Sequence, residues 1–184
     1  MAATPSTMVP IGFKAPDFSL LDPVSNSFKS LNELKSDKAT VIMFICNHCP
    51  FVKFVNDQLV QLALDYQSKG ISFIAINSND ADNYPEDSPE KMKEYANKLN
   101  YPFPYLFDST QEIAKAYDAA CTPDFYIFDK DKKCVYRGQL DDSRPSNGKS
   151  TTGADMRNAL DAILAGKEVS KNQLPSIGCN IKWK

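Results

Sequence analysis

Two cysteines and the only histidine of the chain lie within four residues, Cys46-Asn47-His48-Cys49, and Pro50 follows them. Two thiols at this spacing can form a reversible disulfide, and together with the imidazole they can also bind a soft metal such as zinc. A buried turn that contains sulfur without redox activity is the third interpretation. The three alternatives need different surroundings, so the neighbouring elements help to choose between them.

A buried strand and an amphipathic helix flank this CNHC motif. Residues 40–45 (TVIMFI) form an unbroken apolar run rich in β-branched residues, which is typical of a strand buried on both faces. Residues 71–76 (ISFIAI) predict a second such strand, and Gly70 before it ends a helix. The motif is therefore predicted in a right-handed strand–helix–strand unit. The helix is indicated by apolar residues at helical spacing: Val52, Val55, Leu59, Leu62 and Tyr66.

The rest of the chain predicts further elements around this unit. We expect an N-terminal β-hairpin (15–21 and 27–31), an inserted helix (88–99), a helix (111–117), a second hairpin (124–129 and 133–140) and a last helix (154–164). This order predicts an α/β protein with a thioredoxin-like fold, in which helices flank a central mixed sheet. It also predicts one domain over residues 1–184, with a loose N-terminal arm (1–10) and a C-terminal tail (170–184).

At the start of a helix, the free backbone N–H groups and the helix dipole favour the thiolate of the first cysteine of such a pair. We therefore predict that Cys46 is exposed and attacks a substrate disulfide. Cys49, one turn into the helix, would be shielded and would resolve the mixed disulfide. A cationic His48 would favour the Cys46 thiolate. A metal site made by Cys46, His48 and Cys49 is the weaker alternative, since three such close ligands strain tetrahedral geometry.

The second candidate feature is Thr122-Pro123, directly before the predicted strand at residues 124–129. In this architecture the peptide bond before such a proline can be cis and can face the dithiol across a groove. The backbone of Thr122 would then pair with an extended substrate segment.

The other three cysteines have two interpretations each. Cys121 and Cys179 are candidates for additional redox thiols, or are small buried side chains without a redox role. Cys134 lies within the second hairpin, where packing is the favoured interpretation. The acidic loop at residues 80–87 is predicted to be a solvated turn.

Composition excludes several functional classes. The chain has 184 residues and a formal net charge of -2, with no basic stripe, so no nucleic-acid partner is expected. The first residues lack the basic and apolar regions of a secretory signal, and no apolar segment approaches the ~20 residues of a membrane span. We therefore expect a cytoplasmic protein with no membrane partner, in which cysteines are more often reactive or buried than bridged.

Several motifs resemble those of the AhpC/TSA-related, peroxiredoxin-like group of thioredoxin-fold redoxins. They are residues 12–20 (GFKAPDFSL), 46–53 (CNHCPFVK), 78–80 (SND), 84–88 (YPEDS), 121–124 (CTPD), 141–143 (DDS) and 178–184 (GCNIKWK). The resemblance implies the same fold, a redox-active disulfide and an antioxidant type of chemistry. It also implies protein or small-molecule thiol and disulfide substrates, peroxide as an alternative substrate, and an external thiol reductant.

The chain departs from the patterns of both related branches. Peroxiredoxins carry proline and threonine seven and three residues before the reactive cysteine. Those positions are Ile42 and Cys46 for Cys49, and Ala39 and Met43 for Cys46. Thioredoxins have a tryptophan before the first cysteine, here Ile45, and a buried acid that residues 40–45 lack.

These observations favour a thiol–disulfide oxidoreductase that uses Cys46 and Cys49, with no cofactor and no metal. The alternatives are a thiol-dependent peroxidase that uses one of the same cysteines, and a non-enzymatic redox-sensing or metal-binding module.

Overall fold

The computed structural model of the chain describes residues 3–184. Its strands are β1 (Ala3–Pro5), β2 (Ser19–Asp22), β3 (Ser27–Ser30), β4 (Ala39–Phe44), β5 (Ile71–Asn77), β6 (Tyr105–Phe107), β7 (Cys121–Thr122), β8 (Asp124–Asp129), β9 (Cys134–Gly138) and β10 (Ile177–Asn180). Its helices are α1 (Leu31–Leu34), α2 (Pro50–Gln67), α3 (Pro89–Lys98), α4 (Glu112–Ala116) and α5 (Ala154–Leu164), and a 3₁₀ turn, Pro85–Asp87, precedes α3.

Seven strands form one mixed sheet in the order β3-β2-β6-β5-β4-β8-β9. β4 lies inside this sheet, parallel to β5 and antiparallel to β8. All six of its residues are buried, which explains the unbroken apolar run in the sequence. Alternate side chains of β4 enter opposite apolar clusters: Val41 and Met43 lie on one face, and Ile42 and Phe44 on the other. The predicted thioredoxin-like fold is confirmed, with the N-terminal hairpin β2–β3 and the inserted helix α3.

Helix α2 follows β4 after the CNHC motif and covers one face of the sheet. Its buried side chains include the five at helical spacing that predicted it. Gly70 closes the connection to β5 with a φ of +88°, in the left-handed region that glycine tolerates best. This unit fixes the motif at the carboxyl end of β4, between two elements that cannot shift without breaking the core.

A second, three-stranded sheet has the order β1-β10-β7. β10 comes from the predicted C-terminal tail and pairs antiparallel with both neighbours. The arm predicted to be loose at residues 1–10 instead contributes β1 to this sheet, because its backbone groups pair with β10. Residues 1 and 2 of that arm lie outside the described residues.

A buried ion pair supports the turn between β7 and β8. Asp124, at the start of β8, accepts hydrogen bonds from Arg137 Nη1 and, at 2.9 Å, from Arg137 Nη2, and both side chains are fully buried. Asp124 also accepts the backbone N–H of Ala120 at 3.2 Å. The pair therefore ties β9 to the segment that carries Thr122-Pro123.

None of the helices within residues 3–184 is long and apolar enough to cross a membrane.

Candidate redox site

The CNHC motif lies where the sequence predicted it, between β4 and α2, but the helix begins later than expected. Cys49 is the N-cap residue of α2 and Pro50 is its first residue, a position that proline favours. Cys49 rather than Cys46 therefore lies at the helix N-terminus. Both side chains are buried, with 1% of Cys46 and 0% of Cys49 accessible. The expectation of an exposed Cys46 at the helix start, with Cys49 one turn inside, is corrected on both counts.

Three sulfur atoms meet at the start of α2. Cys49 Sγ lies 2.7 Å from Cys179 Sγ, which comes from β10. It also lies 3.2 Å from the carbonyl oxygen of Thr122, while Cys46 Sγ lies 3.3 Å from the Thr122 hydroxyl. All five cysteines are free thiols. Of the two additional redox candidates, the structure brings Cys179 to the pair.

Cys121 and Cys134 have other neighbours. The Cys121 thiol points to the carbonyl oxygen of Pro123 at 3.6 Å, and burial raises its pKa. Cys134 is buried in an apolar cluster, and its sulfur lies 3.4 Å from the carbonyl oxygen of Tyr136. These contacts are those of packed side chains, as predicted for Cys134.

Of the two thiols of the motif, Cys49 is the more acidic. A hydrogen bond from the Cys46 thiol, followed by the Cys179 thiol and the backbone N–H groups of Val52 and Cys179, lowers the pKa of Cys49 to about 5 against the opposing effect of burial. Donation to Cys49, burial and the nearby Asp87 carboxylate raise the pKa of Cys46 well above its ordinary value. The two pKa values differ because Cys49 lies among the hydrogen-bond donors at the helix N-terminus, whereas Cys46 faces an acid.

That acid is Asp87, which comes from the 3₁₀ turn before α3 and is fully buried. Asp87 accepts hydrogen bonds from His48 Nδ1 at 2.6 Å and from the backbone N–H of Asn47 at 2.7 Å. The side-chain amides of Asn79 and Asn77 donate to it at 2.8 Å and 3.2 Å. With four donors, the carboxylate is satisfied although it is fully buried.

Asp87 is the functional candidate that the sequence analysis missed. Its loop was predicted to be a solvated turn, yet both Asp80 and Asp87 are buried. A usable signal was the polar run 77–80 (NSND), which begins at the last residue of the buried strand β5. Side chains at the carboxyl ends of neighbouring parallel strands meet at one edge of a sheet, and β5 is parallel to the strand that leads into the motif.

His48 and Asp87 form a hydrogen-bonded pair at the edge of the site. The hydrogen bond to Asp87 raises the pKa of His48. Burial alone would raise the pKa of Asp87, but His48 and the other donors lower it. The imidazole stacks on the ring of Tyr84, with the ring centres 5.5 Å apart. About 11% of the His48 side chain is accessible, so the pair links the buried site to solvent.

Cys46, His48 and Asp87 each bring one potential metal-ligand atom to within 4.8 Å of the others. The fit to a metal is poor, because His48 Nδ1 and Asp87 Oδ2 are already bonded to each other. The remaining capacity of the Asp87 carboxylate is used by amide donors. The arrangement is that of a hydrogen-bonded acid–base pair beside a thiol.

His48 is expected to make protein stability depend on pH. Its raised pKa means that the stabilising charge is fully present below the unfolded-state value of about 6.5 and is lost as the pH rises through the folded-state value. In a Cys49→Ser background, which removes the nearby thiolate, His48→Gln should lower the free energy of unfolding by about 1–2 kcal/mol more at about pH 5.5 than at about pH 8.5. Urea unfolding at both pH values measures the difference, and an equal loss at both would show an uncharged pair.

Thr122-Pro123 also lies at the site, and its peptide bond is cis, as predicted. The edge of β7 that we expected to bind a substrate segment is, however, occupied by the chain itself. β10 pairs with it in the register Cys179 to Thr122 and Asn180 to Cys121. The predicted groove is therefore filled by the C-terminal strand, because its backbone supplies the partners that an external peptide would bring.

An open pocket of about 420 Å³ adjoins the motif on the His48 side. Lys53, Lys91 and Lys98 line it together with Glu86 and Glu94. His48 also lines this pocket, so the imidazole borders open space on this side.

Known proteins place the chain in a family. The model of the AhpC/TSA family matches residues 11–137. An uncharacterised conserved protein from Geobacillus kaustophilus is 65% identical, with 100% of this chain and 97% of that one aligned at a TM-score of 0.99. A hypothetical protein from Sinorhizobium meliloti is 48% identical, with 98% of each chain aligned at a TM-score of 0.96.

A putative thiol:disulfide interchange protein DsbE from Chlorobium tepidum shares the fold at 18% identity, with a TM-score of 0.68 over 85% of this chain and 99% of that one. No curated protein matches the sequence. The family match covers more than half of the chain, from the N-terminal hairpin to β9, and includes the CNHC motif. The chain is thus a thioredoxin-fold redoxin that belongs to the AhpC/TSA family.

Proposed function

We propose that the protein is a thiol–disulfide oxidoreductase whose redox centre is formed by Cys46 and Cys49. The observation that supports this most directly is the pair of unequal thiols at the start of α2. One has a pKa lowered to about 5, and the other is held protonated beside it. A thiolate and a neighbouring thiol are the two groups that disulfide exchange requires.

In the proposed reaction, local opening at the start of α2 exposes the buried Cys49, and its thiolate attacks one sulfur of a substrate disulfide. A mixed disulfide forms, and the first substrate thiolate leaves and takes a proton. Cys46 then loses its proton and attacks Cys49 Sγ, which releases the second substrate thiol and leaves a Cys46–Cys49 disulfide. An external thiol reductant returns the pair to the reduced state. These roles are the reverse of those predicted from the sequence, because the helix N-terminus lies at Cys49.

The Asp87–His48 pair would handle the proton of Cys46. It is the acid–base group that faces the Cys46 thiol, with a ligand atom of each residue within 4.8 Å of the sulfur. The raised pKa of His48 makes its neutral imidazole a stronger base. The adjoining pocket then connects that proton to solvent. The pair would take the place of the buried acid that the first core strand lacks.

Turnover of hydroxyethyl disulfide, with glutathione as the external thiol, tests this function. The wild type should accelerate the reaction, and Cys46→Ser/Cys49→Ser should fall to the uncatalysed rate. Cys134→Ala is the matched control, since it removes a buried thiol outside the site and should keep the wild-type rate. A double variant as active as the wild type would exclude the proposed centre.

A thiol-dependent peroxidase is the second candidate, favoured by the low pKa of Cys49 and by the family. Here the Cys49 thiolate would attack a peroxide oxygen, and the O–O bond would break to give a sulfenic acid and water or an alcohol. Condensation with the Cys46 thiol would then release water and form the disulfide. Peroxide consumption faster than that of free thiols, and lost in Cys49→Ser, would favour this activity over disulfide reduction. The cytoplasmic location stays a prediction from the sequence.

A further inference from the structure

Cys179 lies in the redox site, although 130 residues separate it from Cys49. Its sulfur is 2.7 Å from Cys49 Sγ and its side chain is 2% accessible. Cys49 therefore has a thiol neighbour on β10 as well as Cys46 within the motif. The arrangement places Cys49 between two thiols, each able to form a disulfide with it.

The position of Cys179 is fixed by the strand that carries it. β10 lies between β1 and β7, and Cys179 pairs with Ala3 on one side and Thr122 on the other. The Ser176 hydroxyl donates to the carbonyl oxygen of Pro123 at 2.8 Å. Beyond the other end of the strand, the backbone N–H of Lys182 donates to Asn79 Oδ1 at 2.9 Å. These bonds hold Cys179 at both ends, so its approach to Cys49 is built into the sheet.

Gly178 allows this close approach. A side chain at this position would overlap the carbonyl group of Thr122 and the nitrogen of Pro123. The strand therefore lies directly on Thr122-Pro123, where the sequence analysis expected an external substrate segment. β10 presents Cys179 to Cys49 in the way that a bound substrate would present its own cysteine.

We propose that Cys179 is a third redox thiol of the centre and forms an internal disulfide with Cys49. This proposal rests on the proposed function, since it starts from the oxidised Cys46–Cys49 pair. Cys179 loses its proton and attacks Cys49 Sγ, so the Cys49–Cys179 bond forms as the Cys46–Cys49 bond breaks. The electron pair leaves on Cys46, which takes up a proton, and the protein neither gains nor loses electrons.

In the reduced protein, the surroundings of Cys179 and Cys46 are compatible with this exchange. Burial, and donation to Cys49, raise the pKa of Cys179 to about 12, so it waits as a neutral thiol. The exchange returns Cys46 to its thiol form, where it faces the Thr122 hydroxyl and Asp87. The oxidised form of the protein then carries its disulfide between Cys49 and Cys179, where α2 meets the second sheet.

Disulfide mapping tests the proposal. Protein is oxidised with hydroxyethyl disulfide, free thiols are alkylated, and the digested peptides are identified by mass. In the wild type, the Cys46–Cys49 and the Cys49–Cys179 disulfides should both be found. In Cys46→Ser, Cys179 should resolve the mixed disulfide on Cys49 directly, so a Cys49–Cys179 disulfide should form, and Cys121 and Cys134 should be alkylated. Cys46→Ala should give the same pattern. In Cys179→Ser, the Cys46–Cys49 disulfide should be found, and Cys121→Ala, the matched control, should leave the wild-type pattern unchanged.

Two failures can be told apart. An inactive wild type in the turnover assay would overturn the proposed function, and the role of Cys179 with it. An active wild type, with folded Cys46→Ser protein in which Cys49 keeps the mixed disulfide with the reagent and Cys179 is alkylated after oxidation, would overturn the role of Cys179 alone.

Discussion

Replacing Cys49 with serine is expected to lower the rate of disulfide reduction by about 1,000-fold or more, since a catalytic nucleophile is lost. Serine cannot supply a thiolate near neutral pH, and Cys46 is held protonated by burial and by the Asp87 carboxylate. Reduced, desalted protein mixed with a chromogenic aromatic disulfide reports the first chemical step directly. The wild-type rate should fall as the pH drops through about 5, the value to which the pKa of Cys49 is lowered.

The controls for this prediction separate the attacking thiol from the resolving thiols. Cys46→Ser/Cys179→Ser retains Cys49 and should trap one half of the substrate on it, because neither partner remains to release that half. The adduct adds a fixed mass to the peptide that contains residue 49. If Cys49→Ser instead reacts at the wild-type rate and carries the adduct on Cys46, the assignment made from the sequence is correct and ours is wrong.

The elements that flank the motif are well predicted from the sequence, because the signal for each one lies within a short segment of the chain. The apolar run of β4, the helical spacing in α2 and the apolar run of β5 are each contained within a single element. Ser88 predicted the start of α3 in the same way, and its side chain does accept the N–H of Lys91. In each case, the signal is the pattern of residues within the element itself, although β4 is buried by strands distant in sequence.

The features of the site that the sequence did not predict depend on contacts between distant residues or on the residue at which a helix begins. The polar run 77–80 marks the edge of the sheet, but it does not identify Asn47 and His48, some 40 residues before Asp87, as the partners of that carboxylate. The pairing of β10 with Thr122 is also invisible locally, so an internal strand replaces the expected external peptide. The roles of Cys46 and Cys49 depend on where α2 starts, and a difference of a few residues moves the favourable helix N-terminus from one thiol to the other.

Replacing Gly178 with alanine is expected to move β10 away from the redox site. The added methyl group would overlap the backbone of Thr122, which cannot turn aside as a flexible side chain would. Overpacking of this kind costs about 1–3 kcal/mol or more. The Cys49–Cys179 disulfide should then disappear from the mapped peptides, while the Cys46–Cys49 disulfide, which does not depend on β10, should remain.

The matched control for this change is Asn180→Ala, since Asn180 is exposed on the same strand. It should keep the Cys49–Cys179 disulfide and lose little stability. Because β10 covers the start of α2, Gly178→Ala should also speed alkylation of Cys49 in the reduced protein, whereas Asn180→Ala should not. A folded Gly178→Ala protein that still forms the Cys49–Cys179 disulfide would show that the strand tolerates a side chain there. The close approach at Gly178 would then not be what brings Cys179 to the centre.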